Sequence, residues 1–135
     1  MATVRASVFV FVALCICCLK LEGNLDASWI SGWCDVAKFP PYSDNEYMAM
    51  KLIGILRDNT SMNHYNQYSD LIWYNEYHIY GRAACNGKIS RGDCSACLQK
   101  ATESLTSGDC MYSVGAQVKL KDCRMRYEPK YFEDE

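Results

Sequence analysis

The side chains able to do chemistry in this sequence are nine cysteines, two histidines and a handful of carboxylates. The densest grouping is Cys85, Cys94 and Cys97, separated by eight and then two residues. A structural zinc site commonly draws its four ligands from two close cysteine or histidine pairs. Here one close pair is present, and His64 and His78 add no matching ligand spacing. Redox chemistry at Cys94-Ser95-Ala96-Cys97 would need both thiols free to pair with each other at a helix start. With four further cysteines in an oxidising compartment, structural bridges are favoured. Nucleophilic catalysis has no recognisable Ser–His–acid arrangement to rest on. The residues therefore point to a binding protein rather than an enzyme, with no metal and no cofactor.

The first residues divide from the rest. One positive charge lies in Met1–Arg5, and Val8–Leu19 then runs for twelve residues without a polar side chain. A membrane-spanning helix needs about 20 apolar residues, so this run is too short to be one. A short basic region, a short apolar region and the small residues Gly23 and Ala27 form a secretory signal pattern. Residues 1–27 are accordingly read as a signal peptide cleaved after 23 or 27, leaving one domain over 28–135. Cys15, Cys17 and Cys18 depart with the leader. The remaining six are Cys34, Cys85, Cys94, Cys97, Cys110 and Cys123. An even set in a short secreted chain reads as a disulfide framework. No further transmembrane segment is visible, and the chain should be extracellular. The formal charge of −2, with no basic run, argues against a nucleic-acid partner. The sequence specifies no oligomeric state.

Elements must hold these cysteines in place. After Pro40-Pro41, Ser43 and Glu46 have the spacing of a capping box, and Met48, Leu52, Ile55 and Leu56 share one helical face. A second helix opens near Ser90–Asp93, with Cys94, Cys97, Leu98, Ala101 and Leu105 as its inner stripe and Gly108 just past its end. Leu71–Tyr80, rich in aromatic and β-branched residues, reads as a strand. Val114, Ala116, Val118 and Leu120 alternate with Gln117, Lys119 and Lys121, and Met125 and Tyr127 alternate with Arg124, Arg126 and Glu128. Pro129 and the acidic end at Glu133–Glu135 read as a solvated tail. The expected architecture is α+β, with two helices packed on one face of an antiparallel β-sheet.

Tyr80-Gly81-Arg82-Ala83-Ala84-Cys85, Asp93-Cys94-Ser95-Ala96-Cys97-Leu98, Gly115 to Cys123 and Tyr127-Glu128 together resemble the ginkbilobin-like antifungal family. Its domain recurs in plant cysteine-rich receptor-like kinases and plasmodesmata-located proteins. The resemblance extends from Cys34 through the first helix at Leu56-Arg57-Asp58-Asn59-Thr60 to the end of the domain. It implies three disulfides: Cys34–Cys110, Cys85–Cys94 and Cys97–Cys123. It also implies a plant defence role tied to mannose or mannan binding through an Asn, an Arg and a Glu. Those positions are Asp35, Gln117 and Glu128 here, so one of the three is kept.

The two departures differ physically. Asp35 accepts hydrogen bonds from sugar hydroxyls but cannot donate one. Gln117 does both, yet lacks the charge and the planar fork of arginine, and its neutrality is expected to leave Glu128 without an orienting cation. Trp73, Tyr74, Tyr77 and Tyr80 are candidates to stack on sugar rings. The outward set of Gln117, Lys119, Lys121, Arg124, Arg126 and Glu128 also fits an ordinary solvated sheet face. Its four cations could instead meet an acidic glycan, phosphomannan or anionic lipid by charge. Glycosidase chemistry would require Asp35 and Glu128 to flank a sugar at a set separation, and the family resembled is not catalytic. Asn59-Thr60-Ser61 is an N-glycosylation sequon at a helix exit. Two functions follow: a secreted antifungal lectin for mannose-containing cell-wall glycans, or a non-lectin apoplastic module that binds a protein or receptor ectodomain.

Overall fold

Ser43 is extended (φ −75°, ψ 158°), and its hydroxyl accepts the Glu46 N–H at 3.3 Å, which starts helix α1 at Asp44–Asn59. This satisfies one of the backbone donors that a helix start leaves free. The reciprocal half of the box differs from expectation. The Glu46 carboxylate takes the N–H of Tyr42, while Ser43 N–H donates to the Pro40 carbonyl at 3.2 Å. Met48, Ala49, Leu52, Ile53 and Leu56 form the buried stripe. Ile53 thus occupies the place expected of Ile55, which is half-buried. The stripe centres between Ala49, Leu52 and Leu56, and at 100° per residue Ile55 falls at its margin. The Thr60 hydroxyl donates to the Leu56 carbonyl at 2.5 Å, and a 3-10 turn at Thr60–Met62 closes the helix.

Helix α2 spans Arg91–Leu105, capped by Ser90, whose hydroxyl accepts the Asp93 N–H at 3.1 Å. Cys94, Cys97, Leu98, Ala101, Thr102 and Leu105 are its buried residues. Both helices lie against a five-stranded antiparallel sheet whose order is β1-β4-β5-β3-β2. The strands are β1 Trp29–Cys34, β2 Asn66–Ile72, β3 His78–Cys85, β4 Ala116–Leu120 and β5 Cys123–Glu128. The structure, a computed structural model, describes residues 25–73 and 76–133. Residues 1–24, which hold most of the expected signal peptide, lie outside the described residues, as do Tyr74, Asn75 and the last two residues.

The alternation expected of β4 and β5 is present. Ala116, Val118, Leu120, Met125 and Tyr127 are buried against the helices, and Gln117, Lys119, Arg124, Arg126 and Glu128 face outward. Leu71–Tyr80 is not one strand. It holds the end of β2, a reversal closed by Trp73 N–H to the Tyr77 carbonyl at 2.9 Å, and the start of β3. Aromatic and β-branched residues favour strand on either side of a fold-back, so composition hid the turn. Strand β1, at the sheet edge, was not expected at all. The C-terminal tail is also not simply solvated. Phe132 is buried, its ring 4.1 Å from the Arg126 guanidinium carbon, and Tyr131 meets the edges of Tyr68 and Tyr80. The cation–aromatic contact and the apolar area hold this segment to the sheet.

Three disulfides join Cys34 to Cys110, Cys85 to Cys94 and Cys97 to Cys123. Cys85 and Cys123 are direct cross-strand partners on β3 and β5. Two cysteines one turn apart on α2 therefore clamp the helix to two adjacent strands at a single rung. The third bridge ties edge strand β1 to the 3-10 turn at Gly108–Cys110.

Candidate functional site

The outer end of the β4–β5 hairpin gathers the polar residues singled out above. Gln117 on β4 lies directly opposite Arg126 on β5, and on its other side opposite Trp33 on β1. Directly opposed residues share a face, with their Cβ atoms about 4.5–5.5 Å apart. Trp33 Nε1–H donates to Gln117 Oε1 at 3.2 Å. Two residues along β5, on the same face, Glu128 Oε2 accepts from Arg126 Nη2 at 2.8 Å. That ion pair is partly buried, with 26% of the Arg126 and 21% of the Glu128 side chain exposed. The expectation that Glu128 lacks an orienting cation is therefore corrected: Arg126 provides one from the same strand.

Asp35 reaches this corner through the backbone. It follows the Cys34–Cys110 bridge, and its N–H donates to the Gly115 carbonyl at 2.9 Å. Its Oδ1 accepts the Ala37 N–H at 3.0 Å, closing a local turn. Gly115 packs between the two ends of the site. A Cβ there would stand 3.3 Å from the Tyr127 carbonyl and 3.5 Å from Glu128 Cγ. Below it, buried Ser113 donates to the Asp35 carbonyl at 2.9 Å and accepts Lys38 Nζ at 2.7 Å. Tyr127 Oη–H donates to the Ser113 carbonyl at 2.7 Å. Burial, reinforced by Tyr77 and Asp35, pushes the Tyr127 hydroxyl far above its ordinary pKa, so it stays a neutral donor. The loop that carries Asp35 is thus bonded to a buried serine and a buried tyrosine.

A groove of about 630 Å³ opens beside Asp35, bounded by Trp29, Gly32, Trp33, Val36, Lys38 and Asp109. Its size lies within the range of small-ligand sites. Of the aromatic candidates, Tyr77 turns to Phe39 with ring centroids 5.9 Å apart, and Trp73 meets Tyr47 at 6.4 Å. Tyr80 is on the outer face but stacked on His78 at 4.1 Å. The rings beside the polar cluster are instead Phe132, against Arg126, and Trp33, bonded to Gln117; sequence reasoning missed Trp33 because β1 carried no alternation strong enough to mark it. Among the outward cations, Lys121 pairs with Asp26 at 3.1 Å. Asn59 is the last residue of α1 and is half-buried, and both Thr60 and Ser61 are buried. Among the described residues there is no group of three or more histidines, cysteines or carboxylates able to hold a metal.

Residues 34–130 match the family model described as salt stress response/antifungal. The chain belongs to this family. It is 31% identical over 121 residues to the antifungal protein ginkbilobin-2 of Ginkgo biloba, covering 89% of this chain and 90% of that one. It is 30% identical over 111 residues to an antifungal ginkbilobin-like protein of Picea abies, covering 79% of this chain and 98% of its relative. In structure it is similar to the tandem DUF26 ectodomain of the Arabidopsis thaliana cysteine-rich receptor-like protein PDLP8. That likeness has a TM-score of 0.71 at 24% identity, covers 79% of this chain, and spans 51% of the tandem ectodomain. The family's fold, two helices against a five-stranded antiparallel sheet with three disulfides, is the one seen here. No helix among the described residues is long and apolar enough to cross a membrane.

Proposed function

We propose that this domain is a secreted plant defence protein whose antifungal action rests on recognising mannose-containing glycans. The site we assign is the outer sheet corner that carries Gln117 and Glu128, with Asp35 on the adjoining loop bonded to Gly115. The observation that carries the reading is the Arg126–Glu128 pair at 2.8 Å. It fixes a carboxylate on the same outer face as the Gln117 amide and the exposed Trp33 indole. Sugar hydroxyls both donate and accept, so a corner that offers fixed acceptors and donors together suits them. The pairing of Arg126 with Glu128, and of Lys121 with Asp26, argues against recognition of an acidic glycan by bare positive charge.

Secretion fits a cut after Gly23 better than one after Ala27. Asp26 N–H donates to Asp122 Oδ2 at 2.7 Å, and the Asp26 carbonyl accepts the Asp122 N–H at 3.0 Å. Leu25 and Ala27 pack against the core, so losing them would strip the sheet edge. N-terminal sequencing of the secreted protein tests this directly.

A glycan array probed with the mature, oxidised protein tests the lectin reading. Signal on mannosides and mannan, lost in Glu128→Ala with the fold intact, is the expected result. Absence of mannoside signal would remove the reading and leave a module that binds a protein or receptor ectodomain.

A further inference from the structure

The resemblance places the family's sugar-contacting cation on β4, at the position of Gln117. The corner of this protein is nonetheless not short of a cation. We propose that Arg126, reaching across from β5, is the sugar-contacting cation of this site, and that Trp33 forms the wall beside it. This inference rests on the glycan-binding reading above.

Position comes first. Gln117 and Arg126 are direct cross-strand partners on the outer face. At that separation a long side chain from either strand covers the same patch. A guanidinium at 126 therefore serves the patch that a guanidinium at 117 would serve. Arg126 already stands opposite Arg82 on β3, so a second cation at 117 would place like charge on both sides of it.

The hydrogen-bonding inventory points the same way. Gln117 Oε1 is held by the Trp33 indole N–H, which leaves the amide NH2 to donate. Arg126 commits one Nη2 hydrogen to Glu128, and its Nε–H is buried, out of reach of a ligand. A guanidinium has five donors, so the remaining Nη hydrogens are the ones that can meet a ligand oxygen. Glu128 supplies the matching acceptors. A sugar hydroxyl placed there gives its proton to the carboxylate and takes one from the guanidinium or the amide. Trp33, 40% exposed with Arg126 5.8 Å from its ring centroid, offers an apolar face to the C–H side of the sugar. The indole N–H bond to Gln117 holds that face in place.

The test is a charge exchange across the strands, read by calorimetry with methyl α-mannoside and yeast mannan. Arg126→Gln alone should weaken binding by about tenfold to a hundredfold, the usual effect of losing a charged hydrogen bond. Gln117→Arg combined with Arg126→Gln should return affinity to within about threefold of the starting protein. Arg126→Lys keeps the charge without the fork and should fall between; it also answers the question if Arg126→Gln fails to fold. Near-ultraviolet circular dichroism checks each fold. Unchanged binding in Arg126→Gln or Arg126→Lys, with Glu128→Ala still inactive, overturns the inference and leaves the glycan reading standing. An exchange variant as weak as Arg126→Gln also overturns it. No binding of either mannoside by the unmodified protein ends both.

Discussion

Gly81 sits in the middle of β3, inside the Tyr80-Gly81-Arg82-Ala83 run, and replacing it with alanine probes how closely α1 lies on the sheet. Its φ is not in the left-handed region, so alanine can adopt the backbone and only space opposes it. An ideal Cβ would stand 2.7 Å from Leu56 Cδ1, 2.9 Å from Leu52 Cδ2 and 3.0 Å from Leu52 Cγ. Carbon atoms pack at about 3.5–4.0 Å, so these contacts are short by roughly 0.5–1.3 Å. Leu52 and Leu56 are fully buried. Leu52 Cγ is a branch point rather than a free end, so relief requires a new χ1 at Leu52 or a shift of the helix.

Overpacking of this kind costs about 1–3 kcal/mol. The lower entropy of the unfolded alanine chain returns about 0.4–1 kcal/mol. The net expectation for Gly81→Ala is roughly 1–2 kcal/mol of lost stability, a Tm lower by roughly 5–15 °C. Urea unfolding of the oxidised protein, with its slope unchanged, measures it. Gly87→Ala is the control, since nothing lies within 4 Å of its Cβ, and it should be near neutral. Leu56→Ala opens space beside residue 81. The double variant Gly81→Ala/Leu56→Ala should therefore be more stable than the sum of the singles by about 0.5 kcal/mol or more. A Gly81→Ala protein as stable as the parent, or strict additivity in the double variant, would refute the close-packing argument.

The bridges and the N-terminal segment give two further expectations. Removing Cys34–Cys110 by a double serine substitution opens a loop of sequence separation 76. The chain-entropy model puts that at up to roughly 4.5 kcal/mol, against roughly 2.7 kcal/mol for Cys85–Cys94, separation 9. Urea melts that reversed this order would contradict the model. Asp26 is held by the Ser28 hydroxyl first, then by the Ser28 N–H and Lys121, and its carboxyl is lowered to about 2. A lowered folded pKa stabilises above the unfolded value, near ~3.9, and that contribution is lost as pH falls toward the folded one. The stability difference between the parent and Asp26→Asn should therefore be present at pH 6 and shrink between about pH 4 and about pH 2; a difference constant across that window would count against the assignment.

Local patterns were legible where neighbours in sequence decide the outcome. The inward stripe of Cys94, Cys97, Leu98, Ala101 and Leu105, the caps at Ser43 and Ser90, and the alternation of Val118 with Gln117 and Lys119 all depend on contacts within a turn or a rung. The fold class followed from them, and the family resemblance supplied the cysteine pairing. Patterns failed where residue types suit two outcomes. Leu71–Tyr80 reads as strand throughout because Ile72, Trp73, Tyr77 and Ile79 favour strand before and after the reversal. Phe132 sits next to acidic residues and read as tail, yet its ring covers Arg126.

The sequence by itself determined which residues make the helices and the central hairpin, and which face of each is apolar. Helical periodicity, capping and strand alternation are short-range, and they act before any tertiary contact exists. Only the tertiary structure decided that Trp33 lies beside Gln117, 84 positions away, and that Arg126 stands across from Gln117 while holding Glu128. Those neighbours depend on which strands pair and in what register. That choice is made by burying one common face and by closing three bridges, and no local pattern encodes it. The candidate site was therefore half visible: the family resemblance pointed to Glu128, Gln117 and Asp35, and the cation and the indole on that face came from the sheet.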